Sequence, residues 1–258
     1  MDDFDFEIIE NKKAAAGAYK MKLKTAAKLP AIRAGQFLQF RIPERPEFSL
    51  RRPFCICQYD DRTITIYYAV AGKGTAAMTG LLPGAHTKCV LPLGNGFSLK
   101  DWHKKVALIG GGLGVAPLLP VPKSYPGREY RAYLGFNGAE HIILRKEFEA
   151  AVKECKLATD DGSFGFKGFP TGILKEDIKN GYRPDVLLVC GPAPMTRAVR
   201  GIAESDNIDA FMTGENRMGC GFGACLVCAC KVMDDSGAYR NLRSCVEGPV
   251  FDLKKIEL

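Results

Sequence analysis

Over the first hundred residues the apolar positions come in short runs of β-branched and aromatic residues, separated by Gly and Pro. Residues 5–10, 19–24, 37–42, 54–59, 63–70 and 88–91 each read as a strand, with one or two helical turns over 75–82. Short strands at this spacing predict an antiparallel barrel. The pattern changes near Trp102. Apolar strands at 106–109, 131–136, 156–159, 186–190 and 208–213 alternate with helical spacing over 142–152 and 195–204. Alternation of that kind predicts a parallel sheet covered on both faces. From Gly214 onward the chain changes again, to a cysteine-rich stretch with one hairpin expected around Asp234-Asp235-Ser236-Gly237. The expected organisation is therefore multi-domain, β plus α/β: a barrel over 1–100, an α/β unit over 101–213 and a small C-terminal unit over 214–258.

Composition narrows the function classes. A hydrophobic share of 47% and a charged share of 25% are those of an ordinary soluble protein, and 258 residues are enough for two or three small cores. The net charge of +7 is scattered along the chain rather than striped, which argues against nucleic-acid binding. No apolar run approaches the roughly 20 residues of a membrane-spanning helix. The acidic start, Met1-Asp2-Asp3-Phe4-Asp5, is unlike a secretory signal, so a cytoplasmic location is expected.

Five of the ten cysteines fall between Cys220 and Cys245. Cys220, Cys225, Cys228 and Cys245 follow the spacing C-x4-C-x2-C, sixteen residues, C, which is the plant-type order for a 2Fe–2S cluster. Four thiolates suit two irons, and Gly221 and Gly223 let backbone N–H groups approach the sulfurs. Zinc is the alternative, although zinc ribbons usually pair two CxxC knuckles. Cys230 is a fifth thiol; in an extended stretch it would point the same way as Cys228, and it reads as a packed spectator.

Two further groups of residues suit phosphate. Arg52 is able to pair a phosphate bidentately, and Gly72-Lys73-Gly74-Thr75 opens a helix with N–H groups suited to a pyrophosphate. Gly110-Gly111-Gly112-Leu113-Gly114 follows one strand of the parallel sheet, and Cys190-Gly191-Pro192-Ala193-Pro194-Met195 follows another. Ligands bind at such strand ends in open α/β sheets. Each motif alone is explained by a solvated charge or a plain β–loop–α connection; their joint occurrence is not.

Together these residues resemble the ferredoxin–NADP reductase superfamily. Arg52-Pro53-Phe54-Cys55 is similar to its flavin motif R-x-[FY]-[ST], Gly111–Pro117 to G-G-x-G-x-[AT]-P, and Cys190–Met195 to C-G-P-x-P-M. The C-terminal cysteines, with Cys245-Val246-Glu247-Gly248-Pro249 and Ala158-Thr159-Asp160-Asp161-Gly162-Ser163, resemble the electron-transfer subunits of NAD-dependent dihydroorotate dehydrogenases. The resemblance implies FAD in the barrel, NAD(H) on the α/β unit, and the cluster at the C-terminus. FAD contacts would fall on Arg52, Pro53, Phe54, Cys55, Tyr67, Tyr68, Ala69, Gly74 and Thr75. NAD(H) contacts would fall on Gly111, Gly112, Gly114, Cys190, Gly191, Pro192 and Met195, with Cys190 either near the nicotinamide or simply packed. No side chain of this chain is expected to act as a catalytic acid or base. The implied partner is an FMN-containing catalytic subunit that oxidises dihydroorotate to orotate, usually in a heterotetramer. Related modules serve bifurcating transhydrogenases, sulfhydrogenases and other flavin dehydrogenases, and a non-enzymatic redox sensor is the alternative of a different class.

Three departures stand out. Cys55 replaces the usual Ser with a poorer hydrogen-bond donor. Ala69 stands where the family often has Arg. Pro120 and Pro122 interrupt the helix after the nucleotide turn, where each proline costs about 3 kcal/mol, so a short helix is expected. The strand ending Leu134-Gly135-Phe136-Asn137-Gly138-Ala139-Glu140 offers no base for a 2′-phosphate, which predicts NADH over NADPH unless Arg145 reaches back.

Overall fold

The computed structural model describes residues 2–43, 45–214 and 216–258. Its N-terminal part is an antiparallel sheet of β1 (Asp2–Ala15), β2 (Ala18–Lys24), β3 (Phe37–Phe40), β4 (Arg52–Cys55), β5 (Gln58–Tyr59), β6 (Thr63–Ala69) and β7 (His86–Leu93), with a short helix α1 (Lys73–Met78) before β7. The strand order is β4-β3-β7-β1-β2-β6-β5. The sequence pattern over 54–59 reads as one strand, but the structure splits it. Ile56 N–H donates to Gln36 on the β3 side at 3.1 Å, and Cys57 N–H donates to Thr65 on β6 at 3.0 Å. The chain thus steps from one edge of the sheet to the other at two buried residues and closes the barrel. Alternate residues such as Phe6, Ile8, Leu38, Phe40, Ile64 and Ile66 fill the interior.

The second sheet holds β8 (Lys105–Gly111), β9 (Glu129–Phe136), β10 (Glu154–Thr159), β11 (Phe166–Lys167), β12 (Val186–Cys190) and β13 (Asp209–Thr213). Between them lie a 3-10 segment (Gly112–Leu118), α2 (Val121–Ser124), α3 (Arg145–Ala151), α4 (Pro170–Lys179) and α5 (Ala193–Ser205). After them come a hairpin, β14 (Ala229–Met233) and β15 (Tyr239–Arg243), and the last strand, β16 (Val250–Asp252). The order is β11-β10-β9-β8-β12-β13-β16, parallel throughout except for β16. Burial on both faces explains the unbroken apolar strands. Val106 and Leu108 of β8 face one core with Val115 and Phe148, while Ala107 and Ile109 face the other with Ile173, Leu174, Val199 and Ile202. Each such aliphatic side chain contributes about 1.5–3 kcal/mol on burial.

As expected from Pro120 and Pro122, the segment after β8 is a 3-10 stretch and one four-residue helix rather than a long helix. Two elements have little signal in the sequence. Helix α4 begins at Pro170, whose fixed φ suits a first helical position, but Gly168 and Gly172 around it read as loop. Strand β16 is only three residues long and is defined by its antiparallel pairing with β13.

Besides the pairing of β16 with β13, the C-terminal stretch is tied to the end of the barrel. Asn95, just past β7, donates from Nδ2 to the carbonyls of Glu247 (2.8 Å) and Val250 (2.9 Å), and its Oδ1 accepts from Val250 N–H at 3.1 Å. Gly94 lies so close to this segment that a Cβ there would fall 2.8 Å from the Gly248 carbonyl oxygen. Among the described residues no helix is long and apolar enough to cross a membrane.

Candidate cofactor-binding cleft and cysteine loop

In the parallel sheet, β8 lies between β9 and β12, so the loops leaving β8 and β12 diverge from adjacent strand ends. This is a switch point, the usual ligand-binding crevice of such sheets. The two glycine-containing turns pack directly on each other there. A Cβ on Gly114 would lie 2.6 Å from the Cys190 carbonyl carbon, and one on Gly111 would lie 2.8 Å from Pro192 Cδ and 3.0 Å from Met195 Sδ. Gly191 is equally constrained, 3.0 Å from Gly111 N by the same construction, whereas Gly112 has a φ of +56° and open space beside it. Cys190 is buried at the end of β12 and accepts a hydrogen bond from Thr213 Oγ1 at 3.5 Å.

A cleft of about 310 Å³ runs between this crevice and the barrel. Pro53, Phe54, Cys55, Tyr67, Tyr68, Ala69 and Thr75 form its barrel wall, and Leu113, Gly114, Ala116, Pro117 and Cys190 form its sheet wall. Tyr68 is anchored: its hydroxyl donates to Asn11 Oδ1 at 2.9 Å, and its ring stacks on Tyr19 with centroids 5.5 Å apart. Burial raises its pKa to about 12, so it stays a neutral donor at ordinary pH. Asn11 in turn donates to the Met78 and Leu81 carbonyls behind α1. No motif marks Asn11; its role depends on β1 running beside β2, which runs beside β6.

Arg52 and Gly74 meet at one corner. A Cβ on Gly74 would fall 2.9 Å from Arg52 Nε, so only glycine admits the guanidinium there. Arg52 also donates to the Leu50 carbonyl and lies over the Phe48 ring. The Thr75 hydroxyl accepts from Ala71 N–H at 2.9 Å and Gly72 N–H at 3.2 Å, which folds the turn that opens α1.

The far end of the cleft is formed by Phe37, Gly214, Asn216, Met218 and Pro249. Met218 and Pro249 stand in the motifs that flank the spaced cysteines; Phe37, Gly214 and Asn216 carry no motif, because the wall is assembled from separate segments brought together only by folding. Met218 and Phe37 belong to a small cluster with Leu93, Cys228 and Cys245, so the cleft ends on the cysteine loop.

The four spaced cysteines come together as two pairs. Cys228 and Cys245 are buried with their sulfurs 3.3 Å apart. Cys220 N–H donates to Cys225 Sγ at 3.3 Å, while Cys220 Sγ accepts from Phe222 N–H (3.4 Å) and Ala224 N–H (3.3 Å). Partial burial works against the Cys220 thiolate, but these N–H donors outweigh it and lower its pKa to about 6. Burial and the adjacent Cys228 raise Cys245 to about 12. Gly221 and Gly223 have φ of +81° and +92°, the left-handed region that turns successive N–H groups inward. Among the described residues no three His, Cys, Asp or Glu converge as on a single ion. Four thiols in two pairs, with amides aimed at sulfur, fit a two-iron cluster. Arg243 braces the loop by donating to Glu247 and, at 3.3 Å, to the Gly223 carbonyl.

Cys230 differs from expectation in direction. Cys228 lies in the turn before β14, so strand alternation does not relate the two. Cys230 packs against the core of the parallel sheet and donates to the Leu242 carbonyl at 3.4 Å.

Comparison with known proteins agrees with this arrangement. Residues 215–257 match the model of the iron-sulfur cluster binding domain of dihydroorotate dehydrogenase B. The chain is 38% identical over 245 residues to the dihydroorotate dehydrogenase B (NAD(+)) electron transfer subunit of Clostridium acetobutylicum, covering 95% of this chain and 93% of that one. It is 34% identical to the corresponding subunit of Clostridium perfringens, covering 100% and 99%. The chain belongs to this family of electron transfer subunits. The fold also matches a solved NADH-dependent reduced ferredoxin-NADP oxidoreductase structure (TM-score 0.85, 24% identity, 98% of this chain and 89% of that one). Phthalate dioxygenase reductase matches with a TM-score of 0.66 and 18% identity, over 93% of this chain and 76% of that one.

Proposed function

We propose that this chain carries electrons between NAD(H) and a catalytic partner subunit in the oxidation of dihydroorotate to orotate. The observation that carries the reading is the continuity of the cleft. One wall is the barrel motif, the other is the crevice of the parallel sheet, and the end is the cysteine loop. When bound, a 2Fe–2S cluster would relay single electrons from the FMN of the partner to FAD, and FAD would pass a hydride to NAD⁺.

The chain's own residues hold and shield these groups. Arg52, with Gly74 and Thr75, takes the FAD phosphates at the corner where guanidinium and turn meet. Pro53, Phe54, Cys55, Tyr67, Tyr68 and Ala69 take the flavin ring along the barrel wall. Gly111, Gly112, Gly114, Gly191, Pro192 and Met195 admit the nicotinamide nucleotide at the strand ends, with Cys190 at the reacting face. Cys220, Cys225, Cys228 and Cys245 ligate iron.

The partner docks over the cysteine loop, in a heterotetramer built from two copies of each subunit. Phe222, Leu226, Val227 and Val246 are exposed there beside exposed Cys225, an apolar patch suited to burial against a catalytic subunit. The test is to purify the native complex and supply dihydroorotate and NAD⁺ without oxygen. Orotate and NADH should form in equal amounts. A complex with a different catalytic subunit, or no NADH formation, would assign the module elsewhere, and failure of NADH to bleach the flavin would favour a sensor.

A further inference from the structure

Gln39 lies in the middle of β3 with its side chain 1% exposed, and neither its amide nitrogen nor its amide oxygen has a hydrogen-bond partner among the described residues. Its neighbours Leu38 and Phe40 point into the barrel core. Gln39 therefore shares the outer face of β3 with Phe37, whose ring packs with Cys228 and Cys245. The Gln39 amide rests on the cysteine loop itself. A Cβ on Gly221 would sit 2.6 Å from Gln39 Cγ and 2.8 Å from its Cδ, with the amide nitrogen closer still. Gly221 directly follows Cys220, and its φ of +81° bends the loop around this contact. A buried amide with no partner is destabilising, so this side chain calls for a polar group at the surface it faces.

We propose that the Gln39 side-chain amide donates a hydrogen bond to sulfur of the cluster held by this loop and thereby raises its reduction potential. The inference rests on the reading of Cys220, Cys225, Cys228 and Cys245 as cluster ligands. Reduction adds negative charge to the sulfurs, so a fixed N–H donor stabilises the reduced form more than the oxidised one. The donor comes from the barrel, through β3, whose partner strand β4 carries Pro53 of the flavin motif directly opposite Gln39. One strand pair thus spans the flavin wall and the cysteine loop, with Gln39 and Pro53 opposite each other.

The test uses the full chain with flavin and iron loaded. Gln39→Leu keeps the volume and removes the donor; Gln39→Glu keeps the shape and puts an acceptor in place of the amide N–H. The midpoint potential of the cluster is read by redox titration followed by electron paramagnetic resonance. In Gln39→Leu the reduction equilibrium should fall about tenfold, or about 59 mV for a one-electron couple, and in Gln39→Glu it should fall further. Flavin content should be unchanged in both. In wild-type protein labelled with ¹⁵N at the glutamine side chain, pulsed measurements on the reduced cluster should detect that nitrogen. Wild-type protein without a 2Fe–2S signal would defeat the cluster assignment itself. A loaded cluster with unshifted potentials, cluster loss from both variants with flavin retained, or no ¹⁵N coupling would overturn the role of Gln39.

Discussion

At the scale of single residues, substitution separates the four cysteines proposed as ligands from Cys230. Cys220→Ser, Cys225→Ser, Cys228→Ser and Cys245→Ser should each abolish or distort the 2Fe–2S absorption and paramagnetic signals. Cys230→Ser should leave them unchanged, because its sulfur bonds to the Leu242 carbonyl and the Ser244 hydroxyl, on the side of the parallel-sheet core. Loss of iron from the Cys230 variant alone would reverse the assignment. Nicotinamide choice is also set by a few side chains. Glu140 and Asp161 lie at the end of β9, both carboxylates within 3 Å of a Cβ built on Gly138. Arg145, a base that could oppose them, is held by Glu149 at 2.7 Å and covers the Phe164 ring at 4.5 Å. A 2′-phosphate would meet two carboxylates there, whereas a ribose hydroxyl would find acceptors. We expect kcat/KM for NADH to exceed that for NADPH by at least about tenfold, or about 1.4 kcal/mol. With an artificial acceptor this is read directly, and the opposite order would mean that Arg145 leaves Glu149 for the phosphate.

At the scale of elements, α4 is held on the sheet by one carboxylate as well as by its apolar face. Asp177 accepts from Lys156 Nζ at 2.7 Å and from the Tyr133 hydroxyl at 2.8 Å, which ties the helix to β10 and β9. Burial, reinforced by the bond to Asp177, pushes the Tyr133 phenol far above its ordinary range. Asp177→Ala would leave the buried Tyr133 hydroxyl without its acceptor and the Lys156 ammonium with Glu154 alone, at 3.2 Å. We expect a loss of roughly 1–3 kcal/mol, read as a fall of several degrees in the thermal midpoint. The same pair has a pH signature. Partial burial works against the Lys156 ammonium, but Asp177 and Glu154 outweigh it and raise its pKa. Its stabilisation is therefore complete below the unfolded value of about 10.4 and is lost as pH rises through the higher folded value. Unfolding followed from pH 9 to 12 should show that loss in the native chain and a smaller one in Asp177→Ala.

At the scale of the whole molecule, barrel, parallel sheet and cysteine loop share one cleft, and the cofactor it takes is testable by release. Denaturation should free non-covalent FAD, because the Arg52–Gly74 corner and the turn of α1 suit a pyrophosphate as well as a ring. Recovery of FMN alone from the purified chain would contradict this. Arg52→Ala should lower FAD occupancy while leaving the iron content near that of the native chain, since Arg52 bonds to the Leu50 carbonyl, covers the Phe48 ring and packs on Gly74.

Much of this was legible in linear order. Period-two runs, glycine turns and the Cys220–Cys245 spacing are local signals, because strand alternation, turn geometry and ligand reach are set by residues near one another in the chain. They mark the barrel, the alternating α/β unit, the flavin and nucleotide turns and the paired thiols. Long-range contacts decided the rest. The break at Ile56 and Cys57 follows from closing a barrel whose edges lie on opposite sides. Strand β16 exists because β13 offers it an edge, and α4 because the sheet face needs cover beneath glycine-punctuated sequence. Asn11 behind Tyr68, Asn95 at the joining corner and Gln39 beneath the cysteine loop carry no motif. Each acquires its surroundings only when folding brings distant segments together, since a hydrogen bond or a packing contact depends on distance in space and not on separation along the chain.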